Sequence, residues 1–163
     1  MRTKQEGRLT DLKAVKSFIT AGRATFTLVS KRTTKRFTFK IVEALDAFGK
    51  PQKPQRFWVS VLTRSDTYSP IGNISGYEQS YNFKAKPYGP AADAPSVKGF
   101  RWFWQMLNHN IHAELLLEKM EFWHEGSCGR CGRQLTVPSS IASGIGPECA
   151  QRLEVMGLLD ELI

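Results

Sequence analysis

The sequence contains no stretch of about 18 apolar residues, the length at which a helix begins to span a bilayer, and this excludes a helical membrane protein. Its first residues, MRTKQEGRLTDLK, lack the apolar core of a secretory leader. Cysteine is scarce: three in 163 residues, an odd number that cannot all pair and is too few for a disulfide framework. These absences point to a reducing, cytoplasmic setting in which thiols stay thiols. Acidic residues are scarce at the front. Residues 1–40 hold 11 Lys/Arg and two Asp/Glu, a balance of +9. Residues 41–120 hold nine and seven (+2), and residues 121–163 hold three and six (−3), which sum to the chain's +8. Nucleophile-elbow, phosphate-loop and dinucleotide-binding motifs are missing. The acids Asp11, Glu43, Asp46 and Asp66 are scattered without the pairing that acid–base catalysis uses. The sequence therefore reads as a binding protein rather than an enzyme, with a zinc-dependent hydrolase as the third reading.

What is present begins with alternation. In ATFTLVS (Ala24–Ser30) Phe26 and Leu28 share a face, and in RFTFKIV (Arg36–Val42) Phe37, Phe39 and Ile41 do. Period two predicts half-buried strands, and the short polar link Lys31–Lys35 joins them as a β-hairpin. FWVSVL (Phe57–Leu62) predicts another strand, residues 64–76 a turn and short strand, and Tyr77–Lys86 a further strand. Consecutive strands favour an antiparallel sheet. Residues 87–95 read as a loop by Pro and Gly content. From Ser96, a candidate N-cap, Val97, Phe100, Phe103 or Trp104 and Leu107 recur at helical spacing, with Asn108–Asn110 as the stop. The run FRWFWQ (Phe100–Gln105) holds more aromatics than one stripe can bury; such a cluster is more often core, and the alternatives for Trp102 or Phe103 are contact with the zinc module or, beside Arg101, stacking on a base. A short helix over Leu9–Phe18 carries a weaker periodic signal. Residues 111–122 fit either a helical turn or a strand leading to the cysteines.

All three cysteines fall in HEGSCGRCGRQLTVPSSIASGIGPECAQRL (His124–Leu153). Cys128 and Cys131 are spaced C-x2-C with glycines around them, a knuckle that turns two sulfurs onto one metal. Pro147 suits the first turn of a helix, which puts Cys149 in a first turn as well, where thiolate is favoured. A knuckle followed by a ligand on a helix is the treble-clef plan. The predicted set is His124, Cys128, Cys131 and Cys149, holding one structural Zn²⁺. Glu125 and Glu148 are carboxylate alternatives to His124, and His109 and His112 lie farther off in sequence. The patterns of zinc deaminases and H-E-x-x-H proteases are incomplete here.

The stretch CGRCGRQLTVPSSIASGIGPECA resembles the signature C-x-x-C-G-R-x-L-T-x-P-x-S-x-x-x-G-x-G-P-x-C of an uncharacterised phage and bacterial family. TFTLVSKRTTKRFTFKIVEA and FWVSVLT resemble the front half of its members, so the likeness covers most of residues 20–153. The resemblance implies a zinc-binding module often carried by phage-encoded proteins, and no activity. Within it Thr136, Ser139 and Ser140 are turn formers, and Gly144–Gly146 either cradles a phosphate or makes a tight turn that places Cys149.

The expected architecture is α+β: an antiparallel β-sheet with one packing helix, followed by a small treble-clef-like zinc module. Its expected divisions are a basic N-terminal arm (1–18), a sheet-plus-helix domain (19–121) and the zinc-binding module (122–163). The basic front predicts nucleic-acid binding through phosphates, by a projecting finger that carries Lys31, Arg32, Lys35 and Arg36 together with Arg23, and with Arg130 and Arg133 as secondary contacts at its edge. The alternative is a phage-encoded module that binds and inhibits a host or defence protein in the bacterial cytoplasm, docking on an acidic surface or through the aromatic patch.

Overall fold

A computed structural model describes residues 7–64, 66–77, 80–85, 93–109, 113–135, 138–152 and 154. His112, Thr136, most of the 87–95 loop, the first six residues of the arm and most of the last ten residues lie outside that set.

Seven strands form one antiparallel sheet: β1 (Arg8–Leu9), β2 (Arg23–Ser30), β3 (Arg36–Glu43), β4 (Gln55–Leu62), β5 (Tyr68–Tyr77), β6 (Ser80–Ala85) and β7 (Met120–His124). From one edge to the other the order is β1-β7-β2-β3-β4-β5-β6. Strands β2 to β6 follow as a meander. Strand β7 returns from the far end of the chain and inserts between β1 and β2, with Phe26 opposite His124 and Leu28 opposite Phe122. Pairing across β2 and β3 sets Phe26 against Phe39 and Ala24 against Ile41. Every second residue therefore falls on one face, and the apolar residues there are buried, as period two requires.

Helices cover that face. In α1 (Leu12–Ile19) Asp11 caps the start, its Oδ2 accepting from Ala14 N at 3.2 Å. Val15, Phe18 and Ile19, at helical spacing, are buried. In α2 (Pro95–His109) Val97, Phe100, Phe103, Trp104 and Leu107 are buried. Phe103 lies 6.2 Å from Phe26 and 6.1 Å from Phe122 between ring centroids, and Phe100 lies 5.2 Å from Phe39. A 3₁₀ turn (Ala113–Leu115) and α3 (Leu116–Lys119), with Leu116 buried, lead into β7. Each buried Phe contributes about 1.5–3 kcal/mol, so this aromatic seam is the main adhesive between the layers. The other face carries Thr27, Thr38, Lys40 and the exposed Trp58.

The α+β reading holds, with four adjustments. The sheet is covered by more than one helix, because α1 and α3 add buried residues beside α2. Residues 68–77 make a ten-residue strand rather than a short one; its Gly and Pro content hid it, since those residues mark turns in isolation. Ser96 is inside α2, which starts at Pro95, the first-turn position Pro favours. The divisions at 18 and 121 cut through one continuous core: β1 and α1 belong to it, and β7 is an interior strand of the sheet.

Candidate metal centre and candidate nucleic-acid interface

After β7 the chain turns through Gly126 and forms a small knuckle closed by Leu135 N to Gly126 O (2.8 Å), Cys128 N to Arg133 O (2.8 Å) and Gly132 N to Cys128 O (2.9 Å). Gly132 has φ +79°, a left-handed value that glycine adopts without a Cβ clash. Helix α4 (Pro138–Ser143) follows, and residues 147–152 form the helix that bears Cys149 in its first turn, as the Pro147 argument predicts. The sulfurs of Cys128, Cys131 and Cys149 all lie within 4.8 Å of one another. Cys128 and Cys149 are buried and Cys131 is exposed. This donor set is able to hold a metal ion: tetrahedral zinc with Zn–S of about 2.3 Å would place its sulfurs about 3.8 Å apart.

Backbone N–H groups of Arg130 (3.4 Å) and Gly146 (3.3 Å) point at Cys128 Sγ, and Arg130 Nη1 lies 3.6 Å from Cys149 Sγ. Burial by itself would push the Cys128 thiol up, but donors from Gly146, Cys131 and Arg130 outweigh it and hold the group below the ordinary thiol value. For Cys149 burial wins, and the neighbouring sulfurs add to it, so that thiol is raised despite Arg130. The sulfurs open onto a 450 Å³ cleft lined also by Arg130, Arg133, Gln134, Glu148 and Arg152.

His124 is not part of this sulfur group. Its Nδ1 accepts from Gly126 N (3.0 Å) and its Nε2 meets Ile141 O (2.5 Å), so both ring nitrogens are engaged in tying the end of β7 to α4. The structure does not bring His124, the predicted fourth ligand, into the sulfur group. As residue 124 of β7 it faces the core opposite Phe26, and its ring sits 5.7 Å from that of Phe18. Glu125 is likewise occupied, accepting from Thr27 Oγ1 (2.5 Å).

The signature glycines have a packing role that sequence reasoning missed. A Cβ on Gly129 would lie 2.7 Å from Phe18 Cδ2, and one on Gly144 would lie 2.6 Å from the same atom. Gly129 N also donates to Gly144 O (2.9 Å). The two glycines flank the Phe18 ring and dock the knuckle on α1. Gly144, at φ +77°, makes a tight turn, and Gly146 N is directed at Cys128 Sγ, so the phosphate-cradle reading is not what this turn does. Substituting Gly144 with alanine combines a left-handed L-residue with overpacking, and is expected to lower stability by about 2–4 kcal/mol. Urea unfolding checks this; an unchanged midpoint would refute the packing role.

The basic residues separate into two places. Arg23 begins β2, where its N donates to Gly129 O (2.7 Å) and its side chain runs beside Gly132, at the knuckle end. Arg130 and Arg133 line the cysteine cleft. The hairpin tip lies at the other end of β2, about 24 Å away at 3.4 Å per residue. Arg36 is exposed there, outside the groove lining. The tip is not a free finger: Lys31 N donates to Lys119 O (3.0 Å), pinning it to the α3–β7 junction. With the start of α2 it encloses a groove of 890 Å³. Lys31, Arg32, Lys35, Lys98 and Lys119 line it, with Glu118 as its single carboxylate and Trp102 on its wall. Among the described residues the ion pair formed is Arg8–Glu121 (3.4 Å), so none of these groove cations is in direct ion-pair contact with a described carboxylate. Lys98 and Lys119 were not singled out from sequence. Lys98 and Trp102 do stand four apart on α2, a spacing that places them on one face, but nothing local links them to the hairpin.

Fold and site together define a two-layer α+β protein with a three-thiol cluster at one end of its sheet and a cationic groove at the other. Residues 120–154, from the first residue of β7 through the helix that bears Cys149, match a family of unknown function, DUF6011. No curated protein and no solved structure matches the chain. No helix of the described residues is long and apolar enough to cross a membrane.

Proposed function

We propose that the protein binds nucleic acid without catalysing a reaction, and that its cysteine cluster is a structural zinc clip of treble-clef type. The observation that carries the binding reading is the groove: five cations against one carboxylate, none of the five paired with a described acid, converging from the hairpin, α2 and α3. A polyanion entering it releases its condensed counterions, a driving force that falls steeply with salt. Filter binding of oligonucleotides between 50 and 200 mM salt tests the reading. Affinity independent of salt would sink it.

The zinc reading rests on donor chemistry. Three thiolates suit zinc, N–H groups already face two of the sulfurs, and the ligands come from two segments that a metal would clip together. With His124 engaged elsewhere, the fourth position falls to a group in the cleft, where Glu148 is the described carboxylate. The His124→Asn variant is expected to retain its full metal content while losing about 1–3 kcal/mol of stability from the severed Gly126 and Ile141 bonds. Metal analysis of that variant decides the point, and a stoichiometric loss of metal would restore His124 as a ligand.

A second reading has an observation of its own. Leu45 and Phe48 in the β3–β4 connection are 54% and 88% exposed, an apolar pair suited to a protein partner such as the host or defence protein of the phage alternative. Recovery of one stoichiometric protein from nuclease-treated lysate, lost on Phe48→Ser, would favour it.

A further inference from the structure

We infer that the groove selects single-stranded nucleic acid and stacks an unpaired base on Trp102. The inference rests on the reading of the groove as a nucleic-acid site and adds the strand form and the recognition element. Helix α2 buries Phe100, Phe103 and Trp104 almost completely, yet leaves Trp102 37% exposed. Four large apolar side chains among the described residues are exposed: Leu45, Phe48, Trp58 and Trp102. Trp102 alone of these lies in the cationic groove, with Lys98 one helical turn before it and Lys119 and the hairpin cations also lining that groove.

This combination is what a single strand requires. Its bases offer free π-faces, and its phosphates need neutralising within the same few ångströms. An indole set among ammonium and guanidinium groups supplies both. In a duplex the base faces are covered by their neighbours, so an indole in a concavity has only backbone to meet. The volume agrees: 890 Å³ falls within the roughly 300–1,000 Å³ of ligand-sized clefts, room for a base and its neighbouring phosphates. An acidic peptide would satisfy the cations but leave the indole without a stacking partner.

The test measures anisotropy of a labelled single-stranded oligonucleotide and of the duplex of the same sequence, in DNA and RNA forms, at fixed low salt. The proteins are the parent chain, Trp102→Ala, Trp102→Phe, and a triple variant neutralising Lys31, Arg32 and Lys35. Circular dichroism melts confirm folding. The expected result is preference for the single strand, a loss of about 5- to 150-fold on Trp102→Ala, near-complete rescue by Trp102→Phe, and unchanged weak duplex binding. If the triple variant weakens both probes while Trp102→Ala weakens neither or both equally, the groove binds nucleic acid but the stacking inference is overturned. If the triple variant changes neither probe, or polyglutamate competes as well as the oligonucleotide, the underlying reading fails and the inference with it.

Discussion

Cys128→Ser is expected to take the purified protein from about one bound zinc per chain to essentially none and to open the segment after β7 while the sheet persists. Cys128 is the buried member of the knuckle, and its sulfur is the one at which the N–H groups of Arg130 and Gly146 point. A serine oxygen in its place is a poorer zinc donor and leaves two thiolates, too few to hold the ion. In small zinc modules the ion supplies about 10–16 kcal/mol of folding free energy at neutral pH. Here the loss should be local. Strand β7 is paired on both sides by β1 and β2, and Phe122 is locked among Phe18, Phe26 and Phe103. Limited proteolysis should therefore cut beyond residue 126 and spare residues 7–124. Inductively coupled plasma analysis gives the metal content, and the site is not a zinc site if the variant and the parent contain equal amounts. Acidification should release the ion from the parent, because protons compete for thiolates, so retention falls as pH falls.

Neutralising Lys31, Arg32 and Lys35 to glutamine is expected to weaken oligonucleotide binding by about 10²-fold at 0.1 M salt. Each phosphate contact contributes about 0.7–0.9 to the slope of log affinity against log salt, so three lost contacts should flatten it by about 2–3. Extrapolated to 1 M salt, the affinities should converge, which distinguishes lost counterion release from misfolding. Arg23→Gln is the control. It removes a cation of the same basic front but sits at the knuckle end of β2, and should leave the slope nearly unchanged. Equal effects from Arg23 and from the tip would mean that net charge, and not the groove, attracts the ligand.

The contrast between Arg23 and Lys31 shows where sequence reasoning stopped. Both count as phosphate contacts in the sequence, Lys31 on the hairpin finger and Arg23 at the start of the strand that leads to it. An eight-residue strand is rigid and long, so residues at its two ends face different neighbours. Lys98 and Lys119 went unnoticed for the converse reason: they join the hairpin only through packing of α2 and α3 on the sheet. His124 shows the same effect beside the cysteine cluster. Four residues before a knuckle is a plausible ligand position by spacing, but β-strand alternation had already committed residue 124 to the core face opposite Phe26.

The hairpin, the strand at 57–62, the α2 stripe and the C-x2-C knuckle with Cys149 on a following helix were all legible, since each is decided by residues within one or two turns of one another. Side-chain periodicity and thiol spacing are local properties, and a chain states them directly. The insertion of β7 between β1 and β2, the grip of Gly129 and Gly144 on Phe18, the engagement of His124 with Ile141 and the assembly of the cationic groove around Trp102 were decided only in three dimensions. Each joins segments distant in the chain. Hydrophobic burial selects such partners by shape and area, and neither quantity is written in the order of the residues.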